Sequence, residues 1–556
     1  MRSVLPTSQT MAVASRESHA ISSGLMSASL WRRLPRCSRS GAAVLALYGA
    51  GIAAALVVYQ PWRPTQFSIT DFSEFLRLLE QHRTLGSRIS AFVGYYASQG
   101  RFNLIPYVYL VLEWTTFGWN PAAWQISRFI EMCGIVALVY VLLHRLTGSR
   151  PGAIAGASLF IFASCAAQAW IRLTMAEPLA MWFLLAGALL ATRYQTTVRW
   201  RWSGATIAIL VALVVLTKEV LIALIPFIVL LAWTRDAHGQ FVRPRALQRN
   251  RWLALSTIVA TTVALIPVAV IALRANGSAF AAAYGHTPLS VVTAIERFMT
   301  LVLPGFATYP PHVNFMVLAN VLFLLLVGAG WSIQVPDVRY RRSFRAVGAC
   351  LVAISFAGVA VYLPWPFFNF FYGLPFLLAP SALLAFAFHF LEQRWPRNRL
   401  LVYITFAILL TQLASFAGYD ARNAFAQRDA NGKLIVELGR LSVGQLSAED
   451  SVVLATYASR ILPWAGTGPT LSRFASAVFP ERQMPTIREV PCDSIRAAAE
   501  DNSLRRVIVL SYSDDCGSFT SPSWSTRRIF SYVYWPSVTL RSDSVRVDML
   551  LPSKLR

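Results

Sequence analysis

Long apolar runs alternate with short polar connections along this chain, and every second connection carries an arginine cluster. The runs cover Ala42 to Tyr59, Ile126 to Leu146, Gly152 to Trp170, Met175 to Ala191, Gly204 to Leu216 and Val220 to Trp233. They continue with Trp252 to Leu273, Phe315 to Ile333, Ala346 to Leu363, Phe371 to Leu391 and Leu400 to Phe416. By length and hydropathy these predict about eleven transmembrane helices. The clusters fall at Arg32 to Arg39, Arg145 with Arg150, Arg193 to Arg201, Arg235 to Arg251, Arg339 to Arg345 and Arg394 to Arg399. The positive-inside rule assigns them all to the cytoplasm. Reading the pair around Lys218 as one helix would put three clusters outside, so the pattern predicts a break there. An odd span count sends the N-terminus and the C-terminus to opposite sides.

Three segments depart from the alternation. Residues 1–40 are rich in Ser and Arg without apolar periodicity and read as a disordered cytoplasmic tail. The basic flank of the first run resembles a signal peptide, but no small-x-small site follows, so the run reads as an uncleaved anchor. The connection 60–125 is far longer than an ordinary loop, and long ordered loops tend to be functional. Within it, Phe72, Phe75, Leu76 and Leu79 have helical spacing and predict an amphipathic helix over Ile69 to Leu85. Phe102 to Phe117 is apolar but short and interrupted by Pro106 and Glu113, which fits an interfacial or re-entrant segment. From 419 to 556 the runs shorten: Val452 to Leu454 and Val507 to Leu510 read as buried strands, and Asp493 to Asn502 as a helix between them. The expected fold class is an α-helical polytopic membrane protein over 41–418 with a small soluble α/β domain over 419–556.

Composition agrees: 56% of residues are hydrophobic and 14% charged, with a mean hydropathy of +0.50, too little polar surface for a soluble chain of 556 residues. The net charge of +24 lies mostly in the short basic loops, where orientation and anionic membrane lipid account for it. No basic stripe interleaved with aromatics marks a nucleic-acid partner. Cys133, Cys165 and Cys350 lie in apolar runs, and Cys37 lies in the basic tail. Cys492 and Cys516, alone in the polar C-terminal part, predict a disulfide in an oxidising compartment rather than a zinc site.

The non-cytoplasmic side collects Asp71, Glu74, Arg128, Glu177 and Lys218, and ionisable groups gathered at one membrane face mark a site. Their order is informative. Thr70-Asp71-Phe72-Ser73-Glu74-Phe75 follows the first span, then come Gly100-Arg101-Phe102, Pro106-Tyr107-Val108-Tyr109, Phe117-Gly118-Trp119-Asn120 and Ser127-Arg128-Phe129. Arg172-Leu173-Thr174-Met175-Ala176-Glu177-Pro178 and Leu216-Thr217-Lys218-Glu219 complete the series. Over about residues 42 to 235 this series resembles GT-C glycosyltransferases, membrane enzymes of the protein O-mannosyltransferase and aminoarabinose-transferase type that use polyprenyl-phosphate sugars. Two departures stand out. Phe72 occupies a position where many members carry a second acid, and Asn369-Phe370-Phe371-Tyr372 replaces a late Arg-Tyr pair.

The resemblance implies a hexosyl- or pentosyltransferase of the bacterial inner (plasma) membrane, with its N-terminus cytoplasmic and its C-terminal part periplasmic or extracellular. Its partners would be a polyprenyl-phosphate-linked sugar donor, a cell-envelope glycan, lipid or protein acceptor, and membrane lipids. A base for the acceptor proton and positive charge for the departing phosphate are what such a reaction needs. Asp71 is the candidate base, against the alternative of a helix N-cap. Glu177 is the second catalytic acid, with a divalent cation (Mg or Mn) at Asp71 and Glu177, orientation of the acceptor, a pairing with Arg172 or a plain first-turn Glu favoured by the helix dipole as its other readings; no organic cofactor is expected. Arg172, Lys218, Arg128 and Glu74 are the substrate-binding candidates, against membrane snorkelling for Arg172, pairing with Glu219 for Lys218 and pairing with Glu131 for Arg128. The aromatic run Trp365 to Tyr372 fits an interfacial belt or a sugar platform. The rival classes are a lipid or glycan transporter or flippase, which would share intramembrane charge, and an inactive GT-C-like assembly subunit.

The topology is directly testable. A phosphatase fused after Arg556 is expected to be active and a fluorescent protein there dark; the opposite pattern would overturn the assignment of sides.

Overall fold

The protein is represented by a computed structural model that describes residues 39–63, 75, 78–98, 100–173, 175–193, 200–233, 247–274, 290–306, 313–333, 348–351, 353–358, 360, 370–444 and five strands between 451 and 552. The chain divides into two units, Met1–Gly49 and Ala50–Arg556. All side-chain contacts named here lie within the second.

The helices are α1 (Arg39–Tyr59), α2 (Leu85–Ser98), α3 (Leu104–Phe117), α4 (Pro121–Thr147), α5 (Arg150–Phe162), α6 (Ser164–Ile171), α7 (Ala176–Ala191) and α8 (Trp200–Thr217). After a 3-10 turn at Glu219–Leu224 come α9 (Ile225–Trp233), α10 (Leu247–Arg274), α11 (Val291–Val302), α12 (Val313–Ser332) and α13 (Gly348–Gly358). Two short 3-10 segments, Phe370–Gly373 and Pro375–Leu377, lead into α14 (Leu378–Arg394), and α15 (Arg399–Gly444) follows. Among the described residues, four segments are long and apolar enough to cross a membrane: Pro121–Thr147, Trp252–Ile271, Pro375–Arg394 and Pro396–Arg422. The bent pair α5 and α6 makes a fifth, and shorter apolar helices accompany them among the described residues. This is the architecture of a multi-pass membrane protein.

Burial grades the bundle from centre to rim. The apolar window of Pro375–Arg394 is 89% buried and that of Trp252–Ile271 only 11%, so α14 is the central post and α10 faces outward. Ile258, Val263, Ile266 and Leu273 on α10 and Leu324 and Leu325 on α12 are large, apolar and exposed, as a lipid-facing surface requires. Lipid supplies little hydrophobic drive between helices, so close packing must come from small residues. Gly152 and Gly156, four apart on α5, provide it: a Cβ on either would collide with the α14 backbone at Ala385 or Ser381. Gly330 on α12 meets Ala387 of α14 in the same way, and Gly134 on α4 receives the ring of Trp182 from α7.

Several elements differ from the sequence expectation. The run Gly152 to Trp170 is not one straight helix: α5 and α6 bend by 53° at Ala163, whose backbone is extended. The broken ladder is satisfied from elsewhere, since Ser164 donates from its backbone N to Pro304 O at 3.1 Å and from Oγ to Phe306 O at 3.0 Å. Apolar composition cannot reveal such a bend. The break expected at Lys218 is present, with that residue extended between α8 and the 3-10 turn. Helix α15 runs 46 residues, through the 418/419 boundary drawn from hydropathy, because hydropathy marks a membrane edge and not a helix end. Helix α11 was not anticipated; Ser290 caps it by accepting from Thr293 N at 3.1 Å.

In the C-terminal part, β1 (Ser451–Ala455) pairs in parallel with β2 (Thr486–Val490). Strands β3 (Val507–Tyr512) and β4 (Trp524–Tyr534) flank β5 (Asp543–Pro552) in an antiparallel sheet of order β3-β5-β4. Both expected strands are present. The helix expected over Asp493 to Asn502, and Cys492 and Cys516, lie outside the described residues, whereas Cys133, Cys165 and Cys350 are free thiols.

The glycine contact gives a stability test. Gly156→Leu forces α5 off α14 and is expected to destabilise by about 1–3 kcal/mol or more, whereas Gly94→Ala, where the added Cβ meets nothing, should be close to neutral. Melting temperatures of the purified variants in detergent decide it.

Candidate active site at one end of the bundle

Two buried charge clusters form at the end of the bundle where α4 begins. The first is built at two breaks in the helical ladder. Glu177 lies in the first turn of α7, where the helix dipole favours a carboxylate, and Lys218 is held in extended conformation between α8 and the 3-10 turn. Lys218 Nζ stands 3.0 Å from Glu177 Oε1, with side-chain exposures of 12% and 1%. The approach is off the hydrogen-bonding direction, so the contact is a charge pair. The ammonium also lies 4.7 Å from the centre of the Tyr372 ring, and the Arg172 guanidinium 4.6 Å from that of Phe371. Phe371 and Tyr372 meet edge to face, so the 3-10 segment that lacks the late arginine presents two ring faces to two cations. Burial alone would lower the Lys218 pKa, but Glu177, Tyr372 and Glu219 hold it above the ordinary lysine value, which keeps it charged at neutral pH. Glu219 accepts from the amide of Asn103 at 3.0 Å once that amide is oriented by its neighbours.

The second cluster centres on Arg128, whose side chain is 1% exposed. It pairs with Glu113 from α3 and with Glu131 one turn along α4, and its guanidinium lies 5.0 Å from the centre of the Tyr109 ring. Ser127 Oγ donates to Glu113 Oε1 at 3.2 Å. Burial pushes the Glu113 carboxyl above its ordinary value, against the pull of Arg128 and Ser127. A small cavity of about 40 Å³ joins these groups to the loops, lined by Phe75, Tyr109, Glu113, Arg128, Leu173 and Met175. Phe75 is stacked on Phe92 at 5.7 Å. The residue after Glu74 and the residues after Arg172 thus face one space.

A brace from α15 holds the loops together. Arg428, buried, donates to Gln125 Oε1 at 2.9 Å and to the backbone carbonyl of Ile171, next to Arg172. Arg63 pairs with Asp429 at 3.4 Å and lies over the Phe425 ring. One helical stretch beyond the apolar part of α15 therefore ties Arg63 just after α1, the start of α4 and the end of α6.

Of the residues singled out in the sequence, Arg172, Glu177 and Lys218 come together around Phe371 and Tyr372, and Arg128 stands in the neighbouring cluster. Asp71 and Glu74 lie outside the described residues. The pairing of Arg128 with Glu131 is observed, and Lys218 takes Glu177 rather than Glu219 as its ion-pair partner. Glu113, Gln125 and Arg428 were missed. Glu113 carried a usable signal, an acid inside an apolar helix; Arg428 carried none, because its role depends on where α15 passes. Among the described residues no group of three or more His, Cys, Asp or Glu comes together as a metal set.

Comparison with known proteins bears on this arrangement. Residues 38–283 match the dolichyl-phosphate-mannose-protein mannosyltransferase family. The match spans somewhat less than half of the chain and contains Arg128, Arg172, Glu177 and Lys218, and it bears out the GT-C resemblance read from the motifs. No curated protein matches the chain in sequence. Solved structures similar to it include ArnT from Cupriavidus metallidurans bound to undecaprenyl phosphate, at 15% identity and a TM-score of 0.44, covering 92% of this chain and 98% of that one. The Archaeoglobus fulgidus oligosaccharyltransferase is 13% identical with a TM-score of 0.46, covering 85% and 70%. The arabinofuranosyltransferase AftD from Mycobacteria is 14% identical with a TM-score of 0.44; the alignment covers 93% of this chain and 40% of AftD.

Removing Arg128 alone would leave two buried carboxylates facing each other. Arg128→Met is expected to destabilise by about 3–5 kcal/mol, and the triple change with Glu113→Gln and Glu131→Gln should recover part of that loss. Thermal unfolding of the two variants beside the parent checks the sign and order.

Proposed function

We propose that the chain is an integral membrane glycosyltransferase that moves a sugar from a polyprenyl-phosphate donor to an acceptor on the non-cytoplasmic face. The match of residues 38–283 carries the reading, and the buried cationic loops within that segment support it. In the proposed step the acceptor hydroxyl oxygen forms a bond to the anomeric carbon as the bond from that carbon to the phosphate oxygen breaks. The GT-C resemblance implies inversion. Asp71 takes the acceptor proton, and the polyprenyl phosphate leaves towards positive charge. Arg172 supplies a planar fork and Lys218 a point charge for that phosphate, with Phe371 and Tyr372 fixing both cations from behind. Glu177 orients Lys218, Glu74 contributes to acceptor binding, and Arg128 shapes the adjoining cavity.

The divalent cation expected at Asp71 and Glu177 fits this arrangement poorly on the Glu177 side, where an ammonium already stands 3.0 Å from the carboxylate. No step is routed through it.

Purified protein supplied with lipid-linked sugar donors provides the assay, and mass spectrometry of surface glycans, lipids and glycoproteins from cells with and without the chain identifies sugar and acceptor. Asp71→Asn keeps size and capping but removes basicity, and is expected to cost about 10²- to 10⁴-fold in turnover with insertion intact. Glu177→Gln should be milder, and chelation should leave transfer unchanged. Near-normal turnover of Asp71→Asn beside a dead Glu177→Gln would move the base to the second loop, and loss on chelation restored by Mg would return a cation to the site. No transfer by the parent protein from any donor would favour the transporter or assembly-subunit reading.

A further inference from the structure

At the opposite end of the bundle lies a second polar cavity of about 530 Å³, formed by the end of α4, the start of α5, the end of α14 and the start of α15. Its distance from the candidate site follows from the helices. Arg399 opens α15 at this cavity and Arg428 lies 29 residues later at the other end, roughly 40 Å along an α-helix. The lining is rich in groups that bind anions: the side chains of Arg150, Arg399, His144 and His389, and the N-terminus of the 13-residue α5 at Ser149 and Arg150. Glu392 is the carboxylate in the lining, and one of its oxygens accepts from Tyr403 Oη, while Arg399 Nε reaches its backbone carbonyl at 3.3 Å. His144 Nδ1 is buried without a protein hydrogen-bond partner. Arg397, in the 3-10 turn Pro396–Asn398 just before α15, lies at the same end but outside the lining.

What adjoins the cavity identifies the source of the anion. Leu400, Leu401 and Ile404, the residues of α15 just beyond Arg399, are 70%, 60% and 47% exposed. They lie in a segment long and apolar enough to cross a membrane. A phosphate seated between Arg150 and Arg399 would have an apolar track beside it, the geometry of a headgroup with its acyl chains. A basic pocket between transmembrane helices is a recognised form of anionic-lipid site.

We propose that this cavity is a binding site for a phosphate ester, and that the phosphate belongs to an anionic membrane phospholipid. Arg150 and Arg399 clasp the phosphate from two helices, the positive end of α5 faces it, and the chains lie along Leu400, Leu401 and Ile404. In the orientation read from the arginine clusters this is the cytoplasmic leaflet. The site is independent of sugar transfer, so its test does not depend on the proposed function.

The intact protein, purified in a neutral detergent, is titrated with phosphatidylglycerol and with phosphatidylcholine and read by native mass spectrometry. Phosphatidylglycerol is expected to remain bound where phosphatidylcholine does not. Arg150→Gln with Arg399→Gln should weaken it by about tenfold or more, and Arg397→Gln, exposed at the same end but outside the cavity lining, by less than about twofold. Each single substitution is measured as well, so that the result stands if the double variant fails to fold. Glycerol 1-phosphate distinguishes the sources: failure to compete at millimolar concentration supports the lipid, and displacement of the lipid at micromolar concentration supports the phosphate site but overturns the lipid assignment. Equal binding of the two lipids, or equal loss in the cavity and control variants, would overturn the site.

Discussion

Charge that is buried must be paired, and this requirement ties the candidate site together. Lys218, Glu177, Arg128, Glu113, Glu131 and Arg428 are all largely withdrawn from solvent, and an unpaired ion in such surroundings costs several kcal/mol. Each therefore finds its partner on a different stretch of chain or on the facing turn of its own helix. Lys218 joins the break after α8 to the start of α7, and Arg128 joins α4 to α3. Arg428 joins α15 to the end of α6 through Ile171. The loops keep their places because releasing one would strand a charge.

The apolar bundle makes that pairing possible by bringing the backbones close. Gly152 and Gly156 let α5 lie directly on α14, and Gly134 admits Trp182. The bend at Ala163 then turns α6 away from the line of α5, so that Ile171 and Arg172 arrive where Arg428, Phe371 and Tyr372 can meet them. A straight helix over the same residues would carry the second loop elsewhere. The bend rests on Ser164 and the carbonyls of Pro304 and Phe306, residues remote in sequence.

Charge is also sorted between the two ends of the same helices. Arg145, which reaches the Leu189 carbonyl and Thr192, shares an end with Arg150 and Arg399, and Arg128, Arg172 and Lys218 lie at the other. At one end the cations are fixed by acids and ring faces within the protein. At the other, two arginines in a cavity that also holds Glu392 leave an excess of positive charge beside a lipid-facing helix surface. The two sets differ in setting: the first is buried among acids and rings, and the second lines or adjoins a polar cavity beside an exposed apolar stretch of α15.

The sequence by itself determined the class of multi-pass helical membrane protein, the break at Lys218, both predicted strands and the resemblance of the first half to GT-C enzymes. These follow from composition, hydropathic period and motif order, which are local properties of the chain. Only the tertiary structure decided that Lys218 meets Glu177, that Glu113 and Glu131 share Arg128, that the Gly152 to Trp170 run is bent, and that α15 continues past its apolar part to brace the loops. Partner choice between buried ions and the bending of an apolar helix depend on which distant atoms come within a few ångströms. Sequence spacing along one helix carries that information for Arg128 and Glu131, and for none of the others.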